Sequence, residues 1–501
     1  MTEIAAAFAL VLDPQVLIVI LGSALFGLFV GAIPGLTATM ATALLVPVTF
    51  FMPPVPAVAA IVTATAMAIF AGDIPGALLR MPGTPASAAY TDEAYAMTRK
   101  GQAELALGSG LVFSAIGGIL GTIVLVTAAP SLAEVALNFS SFEYFWLVLL
   151  GLTCAIFIAS DRPLKAVVSL LLGLLVSCVG LNNPAAFPRF TFDNTNLMGG
   201  INFIPMMIGM FAVSEVLRYV TSKEPPLQLA QERIGNVFRG QWELVKKYPA
   251  AMFRGSAVGT AIGALPGAGA DIAAWISYAI SKRFSKTPEK YGTGHVEGVI
   301  ESGAANNGAL SGAWIPALVF GIPGDSITAI AIGVLYLKGM NPGPTIFINN
   351  PQNIYAVFLV FFIANLLMIP LGLMAIKGYK QVLRVPRHVL MPVILTFCMV
   401  GAFAINNTAF DIGVMLVAGI FAFFMERNGF PVAPAILGVV LGGMLEENLA
   451  TSMIKAEGSI GPFFDRPIAG ALGVLTILVW ASPAAVHLWR VARRGSAIGS
   501  G

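Results

Sequence analysis

The chain has 501 residues, of which 57% are hydrophobic and only 11% are charged. Because a soluble domain carries about a quarter charged residues, this composition excludes a soluble globule and predicts an all-α polytopic membrane protein surrounded by a lipid bilayer. The formal net charge of +3 is uninformative as a total, and we expect no nucleic-acid partner.

Long apolar windows predict the membrane-crossing helices. Several windows approach or exceed the roughly 20 residues needed to cross a hydrocarbon core. With their flanks they predict about 10–12 membrane-crossing or re-entrant helices. Residues 1–13 lack the basic segment of a cleavable signal, so we expect the first helix to stay in place. The windows cover residues 15–33, 142–159, 166–181, 203–220, 356–376, 389–405 and 468–488.

Two Pro-Gly motifs of the first half of the chain return in the second half. Residues 31–38 recur as residues 263–270, 232 positions later, and residues 81–83 recur as residues 322–324, 241 positions later. Internal repeats of this kind locate the substrate site in many transporters. We therefore predict two related membrane repeats, residues 1–220 and 250–449, a cytoplasmic polar linker, residues 221–249, and a final segment, residues 450–501, with a loop, an extra transmembrane helix and a basic tail.

The basic residues of the short loops indicate how the halves are oriented, since cytoplasmic loops are enriched in lysine and arginine. The linker, residues 377–387 and residues 490–494 are basic and are predicted to be cytoplasmic. Residues 130–141, which correspond to residues 377–387, have no lysine or arginine. Such differences predict two inverted structural repeats. The alternative is a chance difference between short loops.

The four Pro-Gly motifs predict broken or re-entrant helices. Proline inside a helix removes a backbone hydrogen bond and clashes with the preceding turn, at roughly 3 kcal/mol, and in lipid the freed groups need partners within the protein. A helix half that starts at such a break presents free N–H groups and a positive dipole end, which suits a carboxylate. The predicted substrate-binding residues are Gly35, Thr37, Gly83, Thr84, Gly267, Gly269, Asn306, Asn307, Gly324 and Ser326.

Hydroxyl and amide side chains near the breaks can hydrogen-bond a carboxylate or present oxygens to a cation. The competing interpretation is ordinary packing, because small and hydroxyl residues also mediate helix contacts in membranes. Asp73, Asp271 and Asp325 are predicted to couple an ion or to sense substrate charge, as ionisable groups at membrane depth often do. For Arg80 three roles stay open: a partner for a substrate carboxylate, a side chain that reaches the interface, or a partner for Asp73.

The sequence predicts neither catalysis nor a metal site. Cys154, Cys178 and Cys398 lie in apolar runs without metal-ligand spacing and are expected to be small buried hydrophobes. A membrane-embedded enzyme would need a nucleophile or metal constellation, and we find none. We therefore expect no enzyme, no cofactor and no bound metal. A channel is disfavoured, because its ligand rings come from symmetric subunits, whereas this chain carries its symmetry internally.

At these motifs the chain resembles the large membrane subunit of the tripartite tricarboxylate transporters, the TctA family. The motifs are residues 31–36, 78–85, 263–270, 304–307, 321–324 and 339–344. The resemblance implies a secondary transporter of the bacterial inner membrane that works with a small membrane subunit (TctB-like) and a periplasmic substrate-binding protein (TctC-like). It also implies import of citrate or another di- or tricarboxylate by symport with Na⁺ or H⁺.

Two positions depart from the family pattern. Gly303 stands where an acidic residue often precedes the Ala-Ala-Asn-Asn motif, with Glu301 two positions earlier, and Arg80 stands where a polar neutral residue is usual. The identity of the carboxylate, the coupling ion and the dependence on partners therefore stay open. The alternative to a tripartite system is a stand-alone ion-coupled organic-anion carrier.

The charge differences between equivalent loops make a topological prediction. Cysteines placed at Ala230 and Gly495 should react with a membrane-impermeant thiol reagent only from the cytoplasmic side. A cysteine at Ser140 should react only from the periplasmic side, because its loop lacks basic residues. Labelling of Ser140 and Ala230 from the same side would contradict the inverted repeat.

Overall fold

The described part of the chain is helical. The structure is a computed structural model that describes residues 2–157, 162–181, 187–221, 234–382 and 387–481. Within these ranges helices and loops account for the fold, with a single bridged pair, Gly180 and Arg189, in place of a sheet. The all-α class predicted from composition is confirmed. Parts of the predicted linker (residues 222–233), basic loop (residues 383–386) and basic tail (residues 482–501) lie outside the described residues.

The first half contains short and long helices in alternation. Helices α2, α4 and α9 begin with proline, which lacks an N–H that would be unpaired at that position. A π-helical turn, Gly209–Val213, connects the last two helices. The helices are α1 (Thr2–Val11), α2 (Pro14–Gly31), α3 (Ala38–Phe50), α4 (Pro54–Ala71), α5 (Asp73–Leu79), α6 (Ala88–Arg99), α7 (Ala103–Ala136), α8 (Ser141–Phe157), α9 (Pro163–Ser177), α10 (Thr195–Met198), α11 (Phe203–Ile208) and α12 (Ser214–Thr221).

The second half follows the same order of elements. Helix α14 begins with proline, as α4 and α9 do, and a 3₁₀ turn, Pro288–Lys290, precedes α16. The helices are α13 (Gln241–Lys247), α14 (Pro249–Gly263), α15 (Gly269–Phe284), α16 (Val296–Phe320), α17 (Ser326–Leu337), α18 (Ile346–Asn349), α19 (Pro351–Val382), α20 (Arg387–Asn406), α21 (Ala409–Arg427), α22 (Val432–Lys455), α23 (Pro462–Asp465) and α24 (Pro467–Ala481).

Eight helical segments of the described chain are long and apolar enough to cross a membrane. They confirm a polytopic membrane protein. The 34-residue α7 is among them, although it is absent from the predicted windows, as are the segments at residues 54–79, 409–427 and 432–455. The segments are Pro14–Gly31, Pro54–Leu79, Ala103–Ala136, Phe203–Thr221, Pro351–Tyr379, His388–Asn406, Ala409–Arg427 and Val432–Lys455. Shorter apolar helices of 10–17 residues are α3, α8, α9, α17 and α24.

The same close helix contact occurs in both halves. A Cβ atom added to Gly31 of α2 would overlap the carbonyl oxygen of Ala68 in α4, and one added to Gly263 of α14 would overlap the carbonyl oxygen of Ala309 in α16. Gly263 follows Gly31 by 232 residues, and Ala309 follows Ala68 by 241 residues. These are the two separations found in the sequence repeat. Backbone contact this close requires glycine. The packing thus follows the repeat, while the inverted orientation and the domain boundaries stay predictions.

The two halves are interlocked rather than side by side. Helix α7 of the first half packs against α14 and α16 of the second. The carboxylate of Glu93 in α6, which is 1% exposed, accepts hydrogen bonds from the backbone of Gly294 (2.7 Å) and His295 (2.8 Å) and from the Tyr278 hydroxyl (2.8 Å). It also accepts from the Gly292 N–H. The loop between α15 and α16 is therefore fastened to the first half.

The close contact between α14 and α16 makes a stability prediction. Gly263→Ala should lower the melting temperature of the detergent-purified protein, with a loss of about 1–3 kcal/mol, because the new methyl group meets backbone that cannot move aside. Gly22→Ala in α2 is the matched control: a Cβ there meets no atom within 4 Å. It should melt at or above the wild-type temperature, since alanine favours helix. Equal melting temperatures for the two variants would contradict the close contact at Gly263.

Candidate functional site

The breaks of both halves open on one cavity of 410 Å³. Its wall includes the first turns of α3, α15 and α17 and residues 84–86, which follow α5. Further wall comes from residues 211–218 and from residues 426–437. The predicted site residues that line it are Thr37, Thr84, Gly267, Gly269, Asp271, Asn306, Asp325 and Ser326. Residues from both repeats are thus brought together, and their role in binding stays a prediction.

Three of the predicted glycines shape the breaks and not the cavity wall. Gly35 has φ of 90°, a left-handed conformation that favours glycine. A Cβ on Gly83 would lie 2.9 Å from the carbonyl oxygen of Gly31, and one on Gly324 would lie 2.7 Å from the carbonyl oxygen of Gly263. These two glycines occupy equivalent places in the two repeats, and any side chain there would separate the broken helix from its neighbour.

The segments after three of the four breaks carry hydroxyl or carboxylate groups that accept backbone N–H bonds, whereas α15 has no side-chain cap. The Thr37 hydroxyl accepts a hydrogen bond from a backbone N–H of α3 at 3.2 Å. Asp325 and Thr328 form a reciprocal capping box at the start of α17, with the Thr328 N–H 2.7 Å from Asp325 Oδ1. Thr84 and Ser87 exchange equivalent N–H to hydroxyl bonds at 3.1 Å. Each cap leaves other first-turn N–H groups unpaired within its helix, so the dipole ends still favour an anion.

The side chains break the symmetry that the backbone keeps. At the repeat separations Thr39 corresponds to Asp271 and Thr84 corresponds to Asp325, and all of these residues line the cavity. We call Thr37, Thr39 and Thr84 the hydroxyl side of the cavity, and Asp271 and Asp325 the carboxylate side. One half therefore presents neutral groups where the other presents negative charge.

Sequence reasoning missed three charged residues of the cavity wall. Glu215 and Arg218 of α12 and Glu426 of α21 line it. The Arg218 guanidinium contacts the Glu215 carboxylate and lies 4.0 Å from that of Glu426. The signal was available, because an ionisable group at the end of an apolar run is a functional hypothesis by default. Their distance along the chain from the Pro-Gly motifs hid the connection.

A buried chain of hydrogen bonds leads from Asp73 to the cavity. The Tyr90 hydroxyl donates to Asp73 Oδ1 at 2.5 Å, and the Asn306 amide Nδ2 donates to the Tyr90 oxygen at 3.1 Å. Asp73 lies outside the cavity wall and is buried, with 7% of the residue exposed. It is therefore connected to the cavity wall through Tyr90 and Asn306.

Asn307 and Arg80 lie away from the cavity. The Asn307 amide Nδ2 contacts the Met368 sulfur at 3.9 Å in α19. The Arg80 side chain is 62% exposed and pairs with Asp92 at 2.8 Å, not with Asp73. The hydrogen bond and charge of Asp92 raise the pKa of the Arg80 guanidinium. The structure thus shows an arrangement other than the three roles considered for Arg80, an exposed ion pair with Asp92.

The described residues contain no group of three or more His, Cys, Asp and Glu that is close enough to hold a metal ion. The free cysteines are buried or half-buried. A cavity where broken helices converge from two packing repeats, inside a polytopic helical protein, is the architecture of a membrane transporter. Its chemistry is that of hydroxyl, amide and carboxylate oxygens.

The chain belongs to the tripartite tricarboxylate transporter TctA family, whose sequence model matches residues 17–437. It is 34% identical over 471 residues to an Agrobacterium vitis protein described as an uncharacterized 52.8 kDa protein in the TAR-I ttuC' 3' region. That match covers 94% of this chain and 93% of the relative. A second Agrobacterium vitis protein, described as lying in the TAR-II ttuC' 3' region, is 36% identical over 185 residues, 37% of this chain and 76% of the relative. No solved structure matches.

The hydrogen-bond chain from Asp73 makes a prediction about Tyr90. Tyr90→Phe should lower the melting temperature, because it leaves the Asp73 carboxylate and the Asn306 amide each without a partner, at about 1–3 kcal/mol for each buried group. Tyr95→Phe on the same helix is the control, since no hydrogen bond of the Tyr95 hydroxyl is present in the described structure. If Tyr90→Phe and Tyr95→Phe have the same melting temperature, the hydrogen bonds of Tyr90 do not connect Asp73 to the cavity.

Proposed function

We propose that the chain is the large transmembrane subunit of a binding-protein-dependent secondary transporter in a bacterial inner membrane. It imports a di- or tricarboxylate or a related organic acid, driven by a Na⁺ or H⁺ gradient. Membership of the TctA family supports this function. The observation that carries it is the cavity, whose wall combines threonine hydroxyls of the first repeat with aspartate carboxylates of the second.

The substrate carboxylate binds at the hydroxyl side. Helix α3 starts there, and its positive dipole end attracts an anion. The Thr39 and Thr84 hydroxyls can donate hydrogen bonds to carboxylate oxygens without bringing a second charge into the membrane interior. The equivalent positions of the other half are aspartates, which repel an anion. The repeat thus supplies similar backbone on both sides, and the side chains select one of them for the carboxylate.

Coupling to a cation follows from the charges of the cavity wall. The described cavity wall carries one guanidinium, from Arg218. It also carries four carboxylates, from Asp271, Asp325, Glu215 and Glu426. An organic anion that enters this space meets net negative charge in a medium that screens charge poorly. A cation that binds with it removes the repulsion, so the substrate and the cation stabilise each other's binding.

The partners follow from the family. A periplasmic substrate-binding protein of the TctC type delivers the carboxylate, and a small membrane subunit of the TctB type completes the complex. Several helices, among them α20 and α21, carry exposed apolar side chains that can contact lipid or such a subunit. The alternative, a stand-alone ion-coupled carrier, predicts uptake without either partner.

Uptake measurements test the function. The purified chain, with its small subunit and binding protein, is placed in proteoliposomes, and labelled citrate and other di- and tricarboxylates are supplied under separate Na⁺ and pH gradients. Saturable, gradient-dependent uptake of a carboxylate that requires both partners is expected. Equal uptake without them would favour the stand-alone carrier, and no uptake of any organic anion would refute the proposal.

The difference between the two sides of the cavity predicts the effect of a charge at Thr39. Thr39→Asp copies the carboxylate of Asp271 into the first half and should reduce carboxylate uptake at least about tenfold relative to Thr39→Asn, since like charges at close range repel. Asparagine has the same size as aspartate and no charge, so it controls for fit. Uptake is measured at equal amounts of inserted protein. Equal rates for the two variants would contradict a substrate site on the hydroxyl side.

A further inference from the structure

One acceptor atom on the cavity wall is buried and has no donor. Asn306 is 1% exposed and lines the cavity, and its Oδ1 atom makes no hydrogen bond in the described structure. A buried polar atom without a partner costs about 1–3 kcal/mol, and on the wall of a cavity a bound ligand is the group that can satisfy it. The unmatched oxygen therefore points to a ligand.

The hydrogen-bond chain fixes this atom as an oxygen and not as an N–H group. Tyr90 donates to Asp73, so its oxygen is left to accept, and it accepts from the Asn306 Nδ2 at 3.1 Å. The amide is thereby oriented with its carbonyl away from Tyr90. An amide oxygen repels a carboxylate and attracts a cation. Asn306 thus belongs with the carboxylate side of the cavity and not with the substrate anion.

The two aspartates add negative charge on the same wall. Asp271 Oδ1 accepts from the Ala86 N–H at 3.1 Å, and Asp325 Oδ1 accepts from the Thr328 N–H at 2.7 Å. In the described structure no lysine, arginine or histidine forms an ion pair with either carboxylate. The two carboxylates also interact electrostatically with each other. Their mutual repulsion is relieved by a cation between or beside them.

The donor set distinguishes a metal cation from a proton. A carboxylate can bind either, but an amide oxygen does not take up a proton at physiological pH. Hard cations, in contrast, are bound by carboxylate, amide and backbone oxygens together, and transporters bind Na⁺ at broken helices in this way.

We infer that Asp271, Asp325 and the Asn306 carbonyl form a binding site for a monovalent hard cation of the Na⁺ type on the carboxylate side of the cavity. The site rests on the proposed function in one respect, that the cavity is the transport site. Cation binding itself requires no substrate and no partner, so it is testable alone.

The test is a melting experiment on the full chain in lipid nanodiscs without any carboxylate. NaCl replaces choline chloride at constant chloride and constant pH, and the melting temperature is followed against Na⁺ concentration. A cation that binds only the folded state raises the melting temperature in a saturable manner. Wild-type protein should show this rise, and the exposed control Asp465→Asn should match it.

The variants assign the rise to the site. Asp271→Asn and Asp325→Asn keep the size of the side chain and an acceptor oxygen, and asparagine also caps helices well, so both should fold. Each should raise the half-maximal Na⁺ concentration at least about tenfold, because one charge beside the ion is lost. Asn306→Leu should raise it as well. No Na⁺ response in the wild type, or an unchanged response in both aspartate variants, would overturn the inference.

Failure of the cation site and failure of the proposed function give different results. Carboxylate uptake driven by the pH gradient alone, with no Na⁺ effect on melting, removes the cation site and leaves the transporter. A Na⁺ response that the aspartate variants lose, without uptake of any carboxylate, supports the cation site and removes the proposed substrate.

Discussion

The structure depends on the requirement that every backbone N–H and C=O group within a bilayer finds a partner inside the protein. A chain with four Pro-Gly motifs in apolar surroundings can meet it only if the breaks lie against one another. In the second half the Gly267 N–H donates to the Gly324 carbonyl at 2.7 Å, and in the first the Gly83 N–H donates to the Gly72 carbonyl at 3.0 Å. In the second half the two breaks satisfy each other, and in the first half the end of α4 satisfies the break at Gly83.

The cavity is a consequence of that arrangement. Helix halves that start at the breaks aim their N-termini inward, and the first side chains of each half become the cavity wall. The repeat makes the two sets of backbone alike, so chemical difference between the sides has to come from side chains. Threonines at positions 39 and 84 against aspartates at 271 and 325 supply it. A space with a neutral side and a negative side suits an anion and a cation that travel together.

The interlocking of the halves limits how the cavity can open. Glu93 fastens α6 to the loop before α16 through backbone and tyrosine donors, while α7 lies against α14 and α16. A motion that separated the first half from the second as rigid bodies would expose these buried groups at once.

The sequence by itself determined the membrane class, the four breaks and the repeat separations, because hydropathy, proline and glycine act locally on the backbone. The tertiary structure alone decided which side chains share the cavity. Asn306 and Asn307 are neighbours in sequence, but successive residues of an α-helix point about 100° apart, so one reaches the cavity and the other meets Met368. Packing likewise brought Glu215, Arg218 and Glu426 to the wall and paired Arg80 with Asp92. The sequence did not predict these contacts, because tertiary contacts leave no local pattern in the chain.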